Sequence, residues 1–195
     1  MKAEIRADGL LRIVGYVHVP GRDSRPVMTP RGKVIERIEQ RAFKRALDKG
    51  ENVDLMVDHE RTIASTTAGT LTLEEDEVGL RAEVVISDKE VIEGARAGKL
   101  RGWSFKMLRV VDEFEERAGQ LPLRTIKDFL MPEVTLALHK IPVYSSTSIE
   151  LRAEEEEEVE IRTEDAQIEV IDKATKEKID YSQYENQILN LKEMD

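Results

Sequence analysis

Five consecutive glutamates, Glu154–Glu158, set the first limit on what this chain can fold into. Adjacent carboxylates repel one another and resist dehydration, so no core can include them. They open a stretch, residues 153–195, that holds 15 acidic and 5 basic residues, whereas residues 1–152 hold 25 of each. The formal charge of −10 therefore lies at the C-terminal end, and the preceding body is neutral. A neutral body has no basic stripe to neutralise phosphates, which argues against nucleic-acid binding. The sequence thus reads as a globular unit over residues 1–152, long enough for a real core, and an acidic tail over 153–195. Ile179, Tyr184, Ile188 and Leu191 give the end of that tail a weak helical pattern, but most of it is expected to be disordered.

There is no cysteine. Disulfides, thiolate metal sites and a thiol nucleophile are excluded with it. The three histidines, His18, His59 and His139, are scattered and match no zinc spacing, so no metal and no cofactor is expected. Met1–Arg6 lacks the apolar stretch of a signal peptide, and no apolar run approaches a membrane span. The expectation is a soluble, unexported chain that does not engage a membrane.

Leu10–Val19 reads as a strand, and the proline- and glycine-rich residues 20–33 as a loop. Ile35, Ile38, Ala42, Phe43, Ala46 and Leu47 fall at helical spacing, which predicts a helix from Glu36 to Lys49 stopped by Gly50. Val53–Asp58 is a predicted strand with His59 at its end. Thr70–Leu73 and Leu80–Ile86 flank an acidic turn and form a predicted hairpin. Ser87 or Asp88 caps a helix running to about Lys99. Leu100–Val111, Ile126–Leu138 and Thr147–Leu151 complete the predicted strands. Several antiparallel strands with a few interleaved helices make this an α+β chain.

Three of these segments each carry one side chain capable of catalysis: His59 in Val57-Asp58-His59-Glu60, Ser104 in Gly102-Trp103-Ser104-Phe105, and Glu133 in Pro132-Glu133-Val134-Thr135. A serine hydroxyl is inert near neutrality until an imidazole takes its proton, and the imidazole works best when a third group orients it. Alternation predicts that Trp103 and Phe105 face away from Ser104 and anchor its strand in the core. Gly102 would let a substrate backbone come close. Taken singly, each residue has a plainer reading: His59 as a structural hydrogen-bonding residue, Ser104 as an ordinary strand serine, Glu133 as the partner of a nearby Arg or Lys. His18 reads as a strand or surface residue.

From Gly15 to Arg152 the order of motifs resembles the prohead (capsid maturation) proteases of tailed phages, whose fold is related to the herpesvirus assemblin proteases. The resemblance rests on Gly15-Tyr16-Val17-His18-Val19, Asp58-His59-Glu60, Gly69-Thr70-Leu71 through Gly79-Leu80, Gly102-Trp103-Ser104-Phe105, and Glu133-Val134-Thr135 through Pro142-Val143-Tyr144. The resemblance implies a small, mainly antiparallel β-barrel surrounded by helices. It also implies a serine endopeptidase with Ser104 as nucleophile, His59 as general base and Glu133 as third member, with His139 as the alternative third member. Its substrates would be scaffold segments, capsid protein and finally the enzyme itself, inside an immature capsid in the host cytoplasm; relatives often act as homodimers. Lys106 and Pro132 depart from the family pattern, Lys106 where glycine is usual. They leave room for an alternative in which the fold serves as a non-catalytic assembly or scaffolding protein.

Overall fold

The computed structural model describes residues 1–138 and 159–174. In chain order, β1 (Lys2–Ile5), β2 (Leu11–His18), β3 (Val27–Thr29) and β4 (Gly32–Ile38) precede α1 (Ala42–Asp48). Next come β5 (Asp54–Val57), β6 (Arg61–Ser65), β7 (Leu71–Glu75) and β8 (Leu80–Ile86), then α2 (Lys89–Arg96). Finally β9 (Gly102–Glu115), β10 (Leu123–Leu130) and β11 (Glu133–Ala137) are followed by β12 (Val159–Asp165) and β13 (Glu169–Asp172). The α+β expectation holds, with strands dominant.

The strands form two sheets. One has the order β13-β1-β2-β8-β7; the other runs β3-β4-β10-β9-β11-β5-β6, with β12 on β9. Alternation builds the first sheet's inner face: Ile13 and Val17 on β2 and Leu80, Ala82, Val84 and Ile86 on β8 are buried. These residues share one core with Leu55, Trp103, Phe105, Val134 and Leu136 of the second sheet. The expected closed barrel is corrected: no ladder joins the sheets among the described residues. Closure needs continuous pairing around the ring. Instead, the second sheet forks, because β10 takes β4 as its outer parallel neighbour and β11 takes β5.

The predicted helix over 36–49 is cut short for a related reason. Val34, Glu36 and Ile38 are buried in alternation along β4, which pairs with β3 and β10. Only the C-terminal half becomes α1, closed by Gly50 at φ 72°. The first turn of α1 is capped from a distance: Arg41 N–H and Lys44 N–H both donate to the buried Glu75 carboxylate at 2.7 Å. The Asp88 cap is as expected, its side chain accepting from Val91 N–H at 3.0 Å.

Pro132 splits the single strand expected over 126–138. β10 and β11 run as one interrupted line along the same edge of β9, with Pro132 in the gap, where its missing N–H is tolerated. The tail expectation needs correction at residues 159–174. β12 pairs antiparallel with β9, and β13 pairs parallel with β1. Val159, Ile161, Ile168, Val170 and Ile171 relieve the charge there, and pairing satisfies the backbone. The expected strand at Thr147–Leu151 and the candidate His139 lie outside the described residues.

Candidate active site

Three neighbouring strands, β9, β11 and β5, deliver the three candidate side chains. Ser104 on β9 is the direct cross-strand partner of Thr135 on β11, so both side chains project from the same face. Glu133 lies two residues before Thr135 on that face. The opposite face of β9 carries Trp103, Phe105 and Met107, all fully buried. Phe105 stacks edge-on against Phe43 of α1 at 5.2 Å between ring centroids, and Phe43 packs on Phe129 of β10 at 5.3 Å. The serine therefore stands on a strand whose underside is fixed in the core.

His59 reaches this face through an unusual turn. Asp58 (φ 49°) and His59 (φ 63°) both occupy the left-handed region that non-glycine residues rarely adopt. Asp58 is the residue type that tolerates it best, together with Asn. Its backbone N–H donates to Leu136 O at 3.1 Å, and its side chain accepts from Leu138 N–H at 2.8 Å. These bonds tie the end of β5 to the end of β11 and swing the imidazole back over Glu133. Two successive left-handed residues at a candidate catalytic position fit the pattern of local strain held in place by surrounding structure.

The resulting chain of contacts is continuous. His59 Nδ1–H donates to Glu133 Oε1 at 2.5 Å, and Nε2 lies 2.9 Å from Ser104 Oγ. Thr135 Oγ1 sits 3.2 Å from His59 Nδ1, bracketing the same edge of the ring. Glu133 is 5% exposed, so its charge needs compensation. Burial pushes its carboxyl up, but hydrogen bonds from His59 and Lys106 outweigh burial and hold it below the ordinary carboxylate range. An ionised carboxylate on Nδ1–H leaves Nε2 as the free acceptor, the tautomer a general base needs.

Lys106 is the contributor the sequence did not reveal. Its Nζ donates to Glu133 Oε2 at 2.8 Å, while His59 holds Oε1. The two rival readings of Glu133, imidazole partner and lysine partner, are both realised. Parity with Ser104 along β9 was the available signal, since residues 104 and 106 share a face. His18 lies apart from this cluster. Its Nδ1 is 2.7 Å from Glu164 Oε1 and its ring packs on Phe43 and Phe105.

Among the described residues no cluster of His, Asp or Glu could hold a metal ion, and no helix is long and apolar enough to cross a membrane. Chemically, the assembly can move a proton from a hydroxyl to an imidazole backed by an ionised carboxylate. Residues 1–162 match the family described as caudovirus prohead serine protease. No curated protein and no solved structure matches the chain.

Proposed function

Because the chain belongs to the caudovirus prohead serine protease family and is a serine peptidase, we propose that Ser104, His59 and Glu133 form its catalytic triad and that it processes capsid and scaffold proteins. The observation that carries this reading is the unbroken contact chain from Ser104 Oγ through the imidazole to Glu133. Its working place would be the immature capsid in the host cytoplasm, and its last substrate the chain itself.

In the reaction, His59 Nε2 takes the Ser104 proton as Oγ adds to the scissile carbonyl carbon. Glu133 stabilises the imidazolium that forms and fixes the ring's orientation. Collapse of the tetrahedral intermediate breaks the C–N bond, and the imidazolium gives its proton to the leaving amine. Water then hydrolyses the ester on Ser104 by the same steps in reverse order. No cofactor enters this scheme.

The test is intact mass against time for the wild type and Ser104→Ala, each alone and co-expressed with the cognate capsid protein. The expected result is shortening of the capsid protein, the chain or both in the wild type only. If neither protein is shortened in a Ser104-dependent way, the triad assignment fails and the non-catalytic scaffolding role takes its place.

A further inference from the structure

Strand β12 lies directly across the nucleophile. It pairs antiparallel with β9 from Gly102 to Leu108, and Thr163 faces Ser104 in the register. Ser104 Oγ lies 2.9 Å from the Arg162 carbonyl oxygen, the same distance as from His59 Nε2, so its one hydrogen has two acceptors within reach; Thr163 Oγ1 is 3.3 Å from Ser104 Oγ. The covered serine is 2% exposed. Gly102 makes the approach possible: a Cβ there would collide with the Glu164 carbonyl oxygen. An extended segment laid along a strand edge is also how many proteins hold a peptide, with main-chain bonds for affinity and alternate side chains for selectivity.

The alternate side chains of β12 all meet charged or titratable partners. Glu160 accepts from Arg124 Nη1 and Nη2, both at 2.6 Å. Arg162 is clamped by Glu36, with Nε on Oε1 and Nη2 on Oε2, each at 2.5 Å. Glu164 pairs with His18. Without β12, the body offers Glu36, Asp112 and Arg124 as one cluster, in which Arg124 Nε holds Asp112 at 2.6 Å and Nη1 reaches Glu36 at 3.1 Å. Two carboxylates share one guanidinium there, and β12 adds one charge of each sign: Glu160 takes the terminal nitrogens of Arg124 while Arg162 takes both oxygens of Glu36. With β12 in place Glu36 is 3% exposed, and a carboxylate covered to that depth favours a cation that bonds both of its oxygens. Beside β12 runs a cavity of about 460 Å³ lined by Tyr16, His18, Arg25, Glu36, Ile38 and β12 itself, so the strand sits in a groove rather than inside a packed layer.

We propose that Glu36 is the specificity-determining residue of this protease, selecting an arginine whose carbonyl is presented to Ser104, with Arg124 receiving an acidic residue two positions earlier. β12 is the chain's own copy of that substrate, Glu160-Ile161-Arg162, and the bond presented is Arg162–Thr163. The inference rests on the triad assignment above and adds the substrate's sequence to it. Ser104 Oγ adds to the Arg162 carbonyl carbon while its proton passes to His59 Nε2. The Arg162–Thr163 bond then breaks, Thr163 nitrogen takes the proton, and one water releases Arg162 as a carboxylate. Cutting here would free the residues from Thr163 onward and open the β9 edge to other chains.

The test follows intact and fragment masses of the full-length chain with the cognate capsid protein, for the wild type, Ser104→Ala, Arg162→Gln, Arg162→Lys and Glu36→Gln. The expected wild-type break falls after Arg162, with capsid cleavage after arginine in the same acid-x-Arg pattern. Arg162→Gln should slow self-cleavage about 100-fold, and Arg162→Lys about 10-fold, because an ammonium cannot bond both carboxylate oxygens in the fork geometry. Arg162→Gln alters only the presented strand, so it reads the same contact should Glu36→Gln fail to fold. Ser104-dependent cleavage of capsid protein with the 162–163 bond left intact overturns this inference and leaves the protease standing. An undiminished rate in Arg162→Gln also overturns it. Loss of all Ser104-dependent cleavage removes both.

Discussion

Lys106 shows how one side chain sets the charge state of the site. It shares Glu133 with His59, one oxygen each, and its hydrogen bond and charge help hold that carboxyl below its ordinary range. Replacing it with methionine removes a lowering contribution while burial still pushes upward, so Glu133 then protonates at a higher pH. Once protonated, it no longer compensates the imidazolium. The expected outcome for Lys106→Met is a kcat/KM profile whose acid limb moves to higher pH, with little loss above neutrality. Glu133→Gln, by contrast, should lose about 10³–10⁴-fold at every pH, as the orienting carboxylate of a triad does. Unchanged acid limbs would mean that Lys106 is only a surface contact. Motif order in the sequence suggests Ser104, His59 and Glu133, but it presents Lys106 only as a departure where glycine is usual. What it could not convey was the paired left-handed turn at Asp58 and His59, because no residue type obliges that conformation.

At the scale of elements, the legible parts were those whose signal is local. β2, β8 and the Asp88-capped α2 follow from alternation and capping within about ten residues. The missed or misread ones depend on remote partners. β1 pairs with β13, Lys2 opposite Glu169, and the strand character of residues 34–38 appears only beside β10. A helical spacing of Ile35, Ile38 and Ala42 was the stronger local pattern there, and tertiary pairing overrode it. Glu75 is another case. It read as part of an acidic turn, yet it points inward and caps α1 across 31 or more residues of chain. Glu75→Ala would leave two part-buried donors at the start of α1 without their carboxylate, and the predicted loss is about 1–2 kcal/mol in urea unfolding. A loss below about 0.5 kcal/mol would show that water replaces the cap. The cap also bears on the site, because α1 carries the Phe43 ring that supports Phe105 beneath Ser104.

Across the whole molecule, the acidic groups that hold β12 and the face carrying Ser104 together make stability depend on pH in a definite direction. For Glu160, burial pushes the carboxyl up, but Arg124 and Arg162 outweigh burial and hold it below its ordinary value of 4.5. Glu133 is lowered in the same way by His59 and Lys106. A carboxyl whose folded value lies below its unfolded one stabilises the fold fully above the unfolded value. That contribution is lost as pH falls through the folded value. Arg124 and Arg162 are held above the ordinary guanidinium range and stay charged throughout, so the acid side alone controls the cluster. Stability should therefore be level near neutrality and fall steeply as pH drops below about 4.5. Hydrogen exchange should increase first in β12, because among the described residues its ladder is with β9 alone and its side-chain anchorage is Glu160 and Arg162. In Glu160→Gln the neutral-pH stability should be lower by about 1–3 kcal/mol, yet the acid slope should flatten, since the group that titrates is gone. Urea midpoints for both chains between pH 3 and 7, with exchange measured on β12 peptides, decide the matter. Parallel slopes would place the acid sensitivity outside the β12 cluster. A flattened slope with early β12 exchange would mean that the strand covering Ser104 is held by charges that protons can release.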